Sequence, residues 1–554
     1  MGGTISKSSQ HYPDSRQVVT SYGPIEGRRL IHEGDKQISV MFEFRRNFQV
    51  DAFQGIPYAA PPVGKLRFAM PQPHEIWTEV RQTKAFGDRG IQKDNILHGK
   101  MAPQSEDNLT LNVFTPVWTP KNSTGFPVLF YIHGGGFISD SAHKYGDLSV
   151  CQHLVTKDVV VVTIQYRLGY LGFWTTGDSS IPDNLALHDM TFALKWVKEN
   201  IGLFNGDPNN ITLMGQSAGG ASVDFLNLFH KVIPMGGNAS CSWAIHPRPL
   251  NSCRKRSQEI GVLDEMNTLD WVEKLREVPA EKFGSALDMG AVDLQTDPEL
   301  VIGPKYDNLF IPKPIMELRK ESPVKPRLVG CTRSEGLVMC MFGLNTKHPL
   351  HGIQQDVSAI LSEKLFPLKA REYQEQALEK LIDTGSDHSK EEWQRAMCEL
   401  RGDSFLNIGV QQNVVDVLET QPLTPVYLYS FDYYNPKAYG IMGWKLPFKD
   451  ATHCTDISYV VGNHIVMSLD FNEDDYKMID ITTRLWTNFA KYGDPNGEGE
   501  DIAQLEQKWE RATIENPQTH LSISLQPKLQ QVYKNGRPLF MAQRLKEARP
   551  PPNL

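Results

Sequence analysis

Ile211-Thr-Leu-Met-Gly-Gln-Ser-Ala-Gly-Gly220 decides the reading of this chain. A β-branched, apolar strand runs into Gly215-Gln216-Ser217-Ala218-Gly219, a G-x-S-x-G pattern, and then into a helix start. A turn this tight forces the serine into a strained backbone conformation, and the two glycines leave room for the elements that press against it. The strain holds the Ser217 hydroxyl at the helix N-terminus. There the Ala218 N–H and the positive end of the helix dipole can stabilise the oxyanion of a tetrahedral intermediate. A G-x-S-x-G alone also arises by chance, so the rest of the chain has to supply its partners.

Upstream, Phe126-Pro-Val-Leu-Phe-Tyr-Ile132 reads as a buried strand that delivers the chain into His133-Gly-Gly-Gly-Phe137. Successive glycines put no side chain between backbone and substrate, so the N–H groups of Gly135 and Gly136 can meet a developing negative charge. Each such donor is worth about 2.7–4 kcal/mol of transition-state stabilisation. An acid and a histidine should follow, in the order Ser, acid, His. Pro326-Arg-Leu-Val-Gly-Cys331 reads as another buried strand and ends in Thr332-Arg-Ser-Glu-Gly336, which puts Glu335 at the carboxyl edge of a sheet. Ala451-Thr-His-Cys-Thr-Asp456 falls on a loop after the strand Val426–Tyr433. The chemistry needs a histidine to take the serine proton and return one to the leaving group, with a carboxylate fixing its tautomer. The chain has sixteen histidines, and spacing alone does not select His453.

The choice comes from a resemblance. Asp51-Ala-Phe-Gln-Gly-Ile-Pro-Tyr-Ala59, Pro61-Pro-Val-Gly-Lys-Leu-Arg-Phe68, Ser105-Glu-Asp-Asn-Leu-Thr-Leu-Asn-Val-Phe114, Val161–Phe173, Phe204-Asn-Gly-Asp-Pro208, Trp486-Thr-Asn-Phe-Ala490 and Gly493-Asp-Pro495 span nearly the whole chain. With the elbow, they resemble the type-B carboxylesterases, the carboxylesterase and cholinesterase branch of the α/β-hydrolases. The resemblance implies Ser217 as nucleophile, Glu335 as acid and His453 as base. It implies Gly135, Gly136 and Ala218 as oxyanion donors, and a structural ion pair between Arg67 and Glu106.

The departures from that family are informative. Its secreted members carry cysteine where this chain has Asn108, paired with one near Gly90, and a second pair near Val262 and Lys274. None of the four positions is Cys here. The seven cysteines are scattered, odd in number and without metal or redox spacing. Structural disulfides persist in oxidising compartments, so their loss argues for a cytoplasmic protein, and the sequons at Asn108, Asn122, Asn210 and Asn238 are then chance. Met1-Gly-Gly-Thr-Ile-Ser-Lys lacks the apolar core of a signal peptide and fits M-G-x-x-x-[ST], which makes Gly2 an expected myristate acceptor. One such chain gives weak, reversible attachment to the cytosolic face of a membrane.

Strands alternating with helical stretches, such as Val159–Ile164 followed by the amphipathic Leu187–Glu199, give an α/β pattern. The expected architecture is the α/β-hydrolase fold, with a central, mostly parallel sheet flanked by helices. The elbow, Glu335 and the glycine loop must meet at one sheet edge. That requires a single catalytic domain over residues 19–545, with tails at 1–18 and 546–554. Helical regions Glu259–Asp297 and Gln354–Leu400 are expected to cap the edge. A net charge of −8 gives no reason to expect nucleic acid as a partner, nothing in the chain calls for a cofactor or metal, and the oligomeric state is left open.

Cholinesterases hold a quaternary ammonium against a Trp shortly before the Ser-Glu-Asp motif. This chain has Asn95-Ile-Leu-His-Gly-Lys-Met-Ala-Pro103 there, with no aromatic. Gln216 replaces a Glu common in relatives and so removes a negative charge from the pocket. Trp243 is expected on the acyl side of the pocket or in the core, and Gly236 replaces a Ser that supports the triad acid. Hydrolysis of small, uncharged carboxylic esters through an acyl-enzyme is the reading these features favour. Acyl transfer to an alcohol or amine by the same triad is the alternative, and a non-catalytic interaction protein is disfavoured by the intact triad.

Overall fold

The computed structural model describes residues 12–33, 47–94, 102–226, 229–263, 267–284, 302–342, 348–439, 443–444, 446–463 and 471–548. Gly2, and with it the expected lipidation site, lies outside them, as does most of the segment 95–103. Among the described residues thirteen strands form one sheet: β1 (Asp14–Val19), β2 (Pro24–Glu33), β3 (Asn47–Pro57), β4 (Arg81–Gln82), β5 (Thr110–Pro116), β6 (Phe126–Ile132), β7 (Val160–Ile164), β8 (Gly206–Gln216), β9 (Lys231–Met235), β10 (Arg327–Thr332), β11 (Val426–Phe431), β12 (His520–Ile523) and β13 (Lys528–Gln530). Their order is β1-β2-β3-β5-β7-β6-β8-β9-β10-β11-β12-β13, with β4 beside β2. From β7 to β12 every pairing is parallel. Antiparallel strands extend the sheet at both ends.

The strands β6, β7, β9, β10 and β11 are buried along almost their whole length, because helices cover both faces of the sheet. Val128, Phe130 and Ile132 of β6 join Ile211 and Leu213 in the core on one side of the sheet. Leu129 and Tyr131 point the other way and join Val161 and Met214. On the first side, the helix Leu185–Asn200 buries Leu187, Met190, Ala193, Leu194 and Val197, a spacing of three and four that keeps them on one stripe. On the second, the helix Glu473–Tyr492 buries Met478, Ile479, Leu485, Trp486 and Phe489. Its start is fixed by a reciprocal cap in which Asn472 Oδ1 accepts from Asp475 N at 3.0 Å and Asp475 Oδ2 accepts from Asn472 N at 2.8 Å.

Two boundaries differ from the sequence expectation. The sheet begins at Asp14, not residue 19. β1 pairs with β2 through Val18↔Ile25, and Ser15 Oγ accepts from Gly27 N at 2.8 Å. Its polar sequence, Asp-Ser-Arg-Gln-Val-Val, conceals an edge strand that buries only Ser15 and Val18. At the other end, the helix Arg537–Glu547 runs past residue 545. Part of it packs with the helices Pro349–Ile360, Ala370–Leu381 and Lys390–Gly402 around their own core of Ile353, Val357, Tyr373, Leu400, Phe540 and Met541. The Arg67–Glu106 pair that the resemblance implies is present, with Nε to Oε1 at 2.6 Å, and Arg67 Nη1 also donates to Leu275 O at 3.2 Å and Arg276 O at 3.1 Å. This pins the helix Thr268–Glu277 to the body. Asn108 and Asn238 are buried, so neither sequon can carry a glycan in the folded chain.

β6 has β7 on one side and β8 on the other, so the strand order reverses there. The crevice at a reversal opens at the carboxyl ends of the strands, which in β6 and β8 lead into His133 and Ser217. The short helix Ala218–Phe225 behind this edge is anchored by a buried carboxylate. Asp224 Oδ2 takes Arg319 Nη2 at 2.6 Å and Asn413 Nδ2 at 2.7 Å, and Asp224 Oδ1 takes Arg327 Nη1 at 3.0 Å. Burial opposes its charge, but the two arginines win and hold the carboxyl well below the usual range. Asp224→Ala should leave two guanidinium groups buried against each other and cost about 3–5 kcal/mol of stability. Urea unfolding of the variant checks this, and a loss under about 1 kcal/mol would mean that the network has rearranged freely.

Candidate active site

Ser217 has φ 58° and ψ −123°, between the end of β8 and the helix Ala218–Phe225. Both flanking glycines are sterically required. A Cβ at Gly215 would lie 2.2 Å from Gly219 O, and one at Gly219 would lie 2.1 Å from Ile132 O, at the end of β6. The serine N–H donates to Met235 O at 2.8 Å, which ties the turn to β9. The glycine loop approaches from the other side, since a Cβ at Gly134 would be 3.1 Å from Ser217 Cβ. Gly135 and Gly136 have φ 89° and 61°, and Ile138 and Ser139 donate their N–H groups to Gly135 O at 3.1 and 3.0 Å. Tyr166 braces the loop by donating to His133 O at 2.9 Å and stacking on the His133 ring. Among the described residues no backbone acceptor engages the N–H groups of Gly135, Gly136 or Ala218.

Glu335 follows the carboxyl end of β10, and His453 lies on the loop before the helix Thr455–Val461. His453 Nδ1 is 2.7 Å from Glu335 Oε2, and Thr332 N donates to Glu335 Oε1 at 2.6 Å. Gly236 stands where the resemblance puts a supporting Ser, and the Glu335 carboxylate is held here by the Thr332 N–H and the imidazole. A Cβ at Gly236 would lie 3.4 Å from His453 Nδ1 and 3.5 Å from Glu335 Oε1, so that position does face the pair. The two loops are fastened together over 117 residues of chain. Arg333 Nε donates to Asp450 Oδ1 at 2.8 Å, Ser334 Oγ to Asp450 Oδ2 at 2.9 Å, and Val338 N to Thr452 Oγ1 at 2.9 Å. Nothing local in the sequence signals this clamp.

Gln216 is placed differently from the expectation. Its side chain does not simply neutralise the pocket, because Nε2 lies 3.3 Å from His453 Nε2. The nitrogen that faces the elbow is therefore met by the amide of the residue next to Ser217. Trp243 is buried one ring behind the imidazole. It stacks on Phe405 with centroids 5.5 Å apart and donates Nε1–H to Phe405 O at 2.8 Å, while Phe405 meets His453 edge-on at 6.3 Å. Phe137 stands 6.3 Å from Trp243 on the other side. Phe405 escaped the sequence reading because it sits on a π-helical turn, Asp403–Asn407, inside a long helical run.

The electrostatics separate two carboxyls. Burial opposes a charge on Glu335, but His453 and the Thr332 N–H overcome it and lower its pKa below the ordinary value. Asp456, which accepts from Tyr429 Oη at 2.8 Å, is pushed up to about 6 by burial and by the charge of Glu335. Burial also opposes a charge on His453, yet the Cys454 sulfur and the Glu335 carboxylate outweigh it and hold its pKa well above the usual histidine value. Glu335 is thus the ionised partner of a readily charged imidazole. Among the described residues, no group of three or more His, Cys, Asp or Glu is placed to hold a metal ion.

Comparison with known proteins agrees with this geometry. The model of the carboxylesterase family matches residues 14–541. The chain belongs to the carboxylesterase family. It is similar to esterase cest-33 of Caenorhabditis elegans, with 35% identity covering 98% of this chain and 96% of the relative. Liver carboxylesterase 1 of Oryctolagus cuniculus is 31% identical over 88% of this chain and 87% of its own, and the medium-chain fatty acyl-CoA hydrolase precursor of Anas platyrhynchos 29% identical over 87% and 85%. The protein is a carboxylesterase-family hydrolase with the α/β-hydrolase fold. All seven of its cysteines are free thiols. A Cβ at Gly90 would lie 2.9 Å from Asn108 Nδ2, so these two positions adjoin as the secreted members' first cysteine pair would require.

Because the Glu335 carboxylate helps hold the His453 pKa up, Glu335→Gln should move the acid limb of kcat/KM to lower pH. The plateau should fall by up to about 10⁴-fold, as the imidazole loses its tautomer and its counter-charge. A pH profile of the variant decides this. An acid limb that stays in place or moves to higher pH would contradict the assigned pair.

Proposed function

We propose that this carboxylesterase cleaves small, uncharged carboxylic esters through an acyl-Ser217 intermediate. The 2.7 Å bond between His453 Nδ1 and the buried Glu335 carboxylate, with Nε2 turned to the elbow, carries the proposal. In this reading, Ser217 Oγ attacks the ester carbonyl as its proton passes to His453 Nε2. The charge that develops on the imidazolium faces Glu335, and the charge on the carbonyl oxygen falls to the N–H groups of Gly135, Gly136 and Ala218. The leaving alcohol takes the proton from His453. Water then repeats the sequence against the acyl-enzyme and frees the acid.

The pocket chemistry supports a neutral substrate. Phe405 beside His453, backed by Trp243, supplies an apolar aromatic wall suited to an acyl chain. Gln216 next to the nucleophile is uncharged, and no aromatic occurs in residues 95–103 to receive a cation. The names of relatives point to acyl-CoA, acylcarnitine and juvenile hormone substrates, so the group displaced from the acyl carbon, a thiol in the first and a quaternary-ammonium alcohol in the second, differs among them while hydrolysis of an acyl bond does not. Matched acetyl and butyryl esters of a neutral alcohol and of choline test the reading. kcat/KM should favour the neutral ester by about tenfold or more, the worth of a desolvated cation–π contact that is not made. The acid should be the product even when a second alcohol is added. A preference for choline would refute the pocket assignment, and transfer of the acyl group to the added alcohol would refute hydrolysis as the main reaction.

A further inference from the structure

The turn before the last helix reaches back to the loop of the triad acid. Tyr533 is fully buried, with its ring edge-on to His520 of β12 at 5.1 Å. Four residues on, Arg537 is tied to the helical run that carries Phe405, with Nε donating to Asp403 Oδ2 at 2.8 Å and Nη1 2.9 Å from Glu399 Oε2. Between these anchors Lys534, Asn535 and Gly536 are all left-handed, at φ 47°, 57° and 73°. Glycine and asparagine take that region readily, but a lysine does so at a cost. Strain of this kind directs attention to what the side chain does.

The half-buried Lys534 side chain caps the carboxyl end of β10. Its Nζ donates to Thr332 O at 2.7 Å and to Arg333 O at 2.9 Å. Thr332 is also the residue whose N–H meets Glu335 Oε1 at 2.6 Å, and Glu335 Oε2 meets His453 Nδ1 at 2.7 Å. One row therefore runs from ammonium through Thr332 and carboxylate to imidazole. The charged groups around Glu335 are His453, Asp456 on the following helix, Lys534, and Arg333 with Asp450, which pair with each other. Cys241, Cys331, Tyr429 and Tyr533 also face it, but burial pushes their pKa values up and keeps them neutral. Burial opposes the charge on Glu335, and after His453 and the Thr332 N–H the Lys534 ammonium favours it.

We propose that Lys534 is a positioning residue for ester hydrolysis, whose two hydrogen bonds fix the end of β10 that presents Glu335 and whose charge keeps that carboxylate the ionised partner of His453. The proposal rests on the assignment of Glu335 and His453 to the triad. Losing the ammonium has two consequences. The carbonyls of Thr332 and Arg333 lose their donor, and the loop they lead into loosens. A positive charge that opposes protonation of the Glu335–His453 pair is also gone, so the pair takes up a proton at higher pH. Lys534 acts through Glu335 and not on the substrate, so kcat should respond while KM holds.

The test measures kcat, KM and the pH profile of kcat/KM for Lys534→Gln, Lys534→Arg, Glu335→Gln and the Lys534→Gln/Glu335→Gln pair. In Lys534→Gln, kcat should fall by about tenfold to 10²-fold, the larger figure being the effect of an ångström of misplacement. The acid limb should move to higher pH, opposite to the direction expected for Glu335→Gln. Lys534→Arg should recover most of the loss and return the limb. Where residue 335 has no carboxylate to hold, adding Lys534→Gln should cost little further. Lys534→Gly, which takes φ 47° without strain, stands in if Lys534→Gln does not fold. Unchanged kcat, an acid limb that stays in place or moves lower, or an equal loss in both backgrounds overturns the role of Lys534. So does failure of both uncharged variants to fold, which would make the residue one of stability alone. Wild-type activity in Glu335→Gln would instead overturn the triad on which the proposal rests.

Discussion

The backbone contact between Gly219 and the carboxyl end of β6 sets what the rest of the site can be. With the Gly219 Cβ position only 2.1 Å from Ile132 O, the helix after Ser217 can start at that height above the sheet only if residue 219 has no side chain. The same closeness forces Ser217 to φ 58°, a conformation that costs about 1–3 kcal/mol for a residue with a side chain. That cost is met by the packing of β6, β8 and β9 and by the buried Asp224 network that holds the elbow helix down. In return the hydroxyl stands free of the strand, and the glycine loop leaving β6 passes beside it.

A second constraint is electrostatic. Two buried carboxyls, Glu335 and Asp456, lie near one imidazole, and like charges in a buried site cannot both be cheap. Their surroundings divide the work. Glu335 receives the Thr332 N–H and the imidazole and stays ionised, while Asp456, bonded to Tyr429, is pushed up to about 6. The clamp through Arg333, Asp450 and Thr452 ties the loop that carries Glu335 to the loop that carries His453.

What could be read from the sequence follows from how local each feature is. The elbow and the glycine loop are strand-plus-motif units whose function is written in consecutive residues, and β6, β10 and β11 are apolar runs bounded by turns. Glu335 and His453 each sit at a strand or helix edge, but choosing His453 among sixteen histidines needed the family resemblance. Features formed by contacts across long stretches of chain left no local mark. The Arg333–Asp450 clamp, Phe405 against His453 and the Gln216 amide on the imidazole all depend on the folded chain bringing distant segments together. β1 was missed for another reason. As an edge strand it buries so little that its composition reads as a tail.

The central claim is that Ser217 accepts the acyl group. The most direct measurement is rapid acid quench of the enzyme during turnover of an activated ester, followed by intact-mass and peptide analysis, with Ser217→Ala treated in parallel. The account predicts one acyl group per chain, on the peptide containing Ser217, and none on the variant. Acylation of the variant, or of another residue while Ser217 stays free, would contradict it.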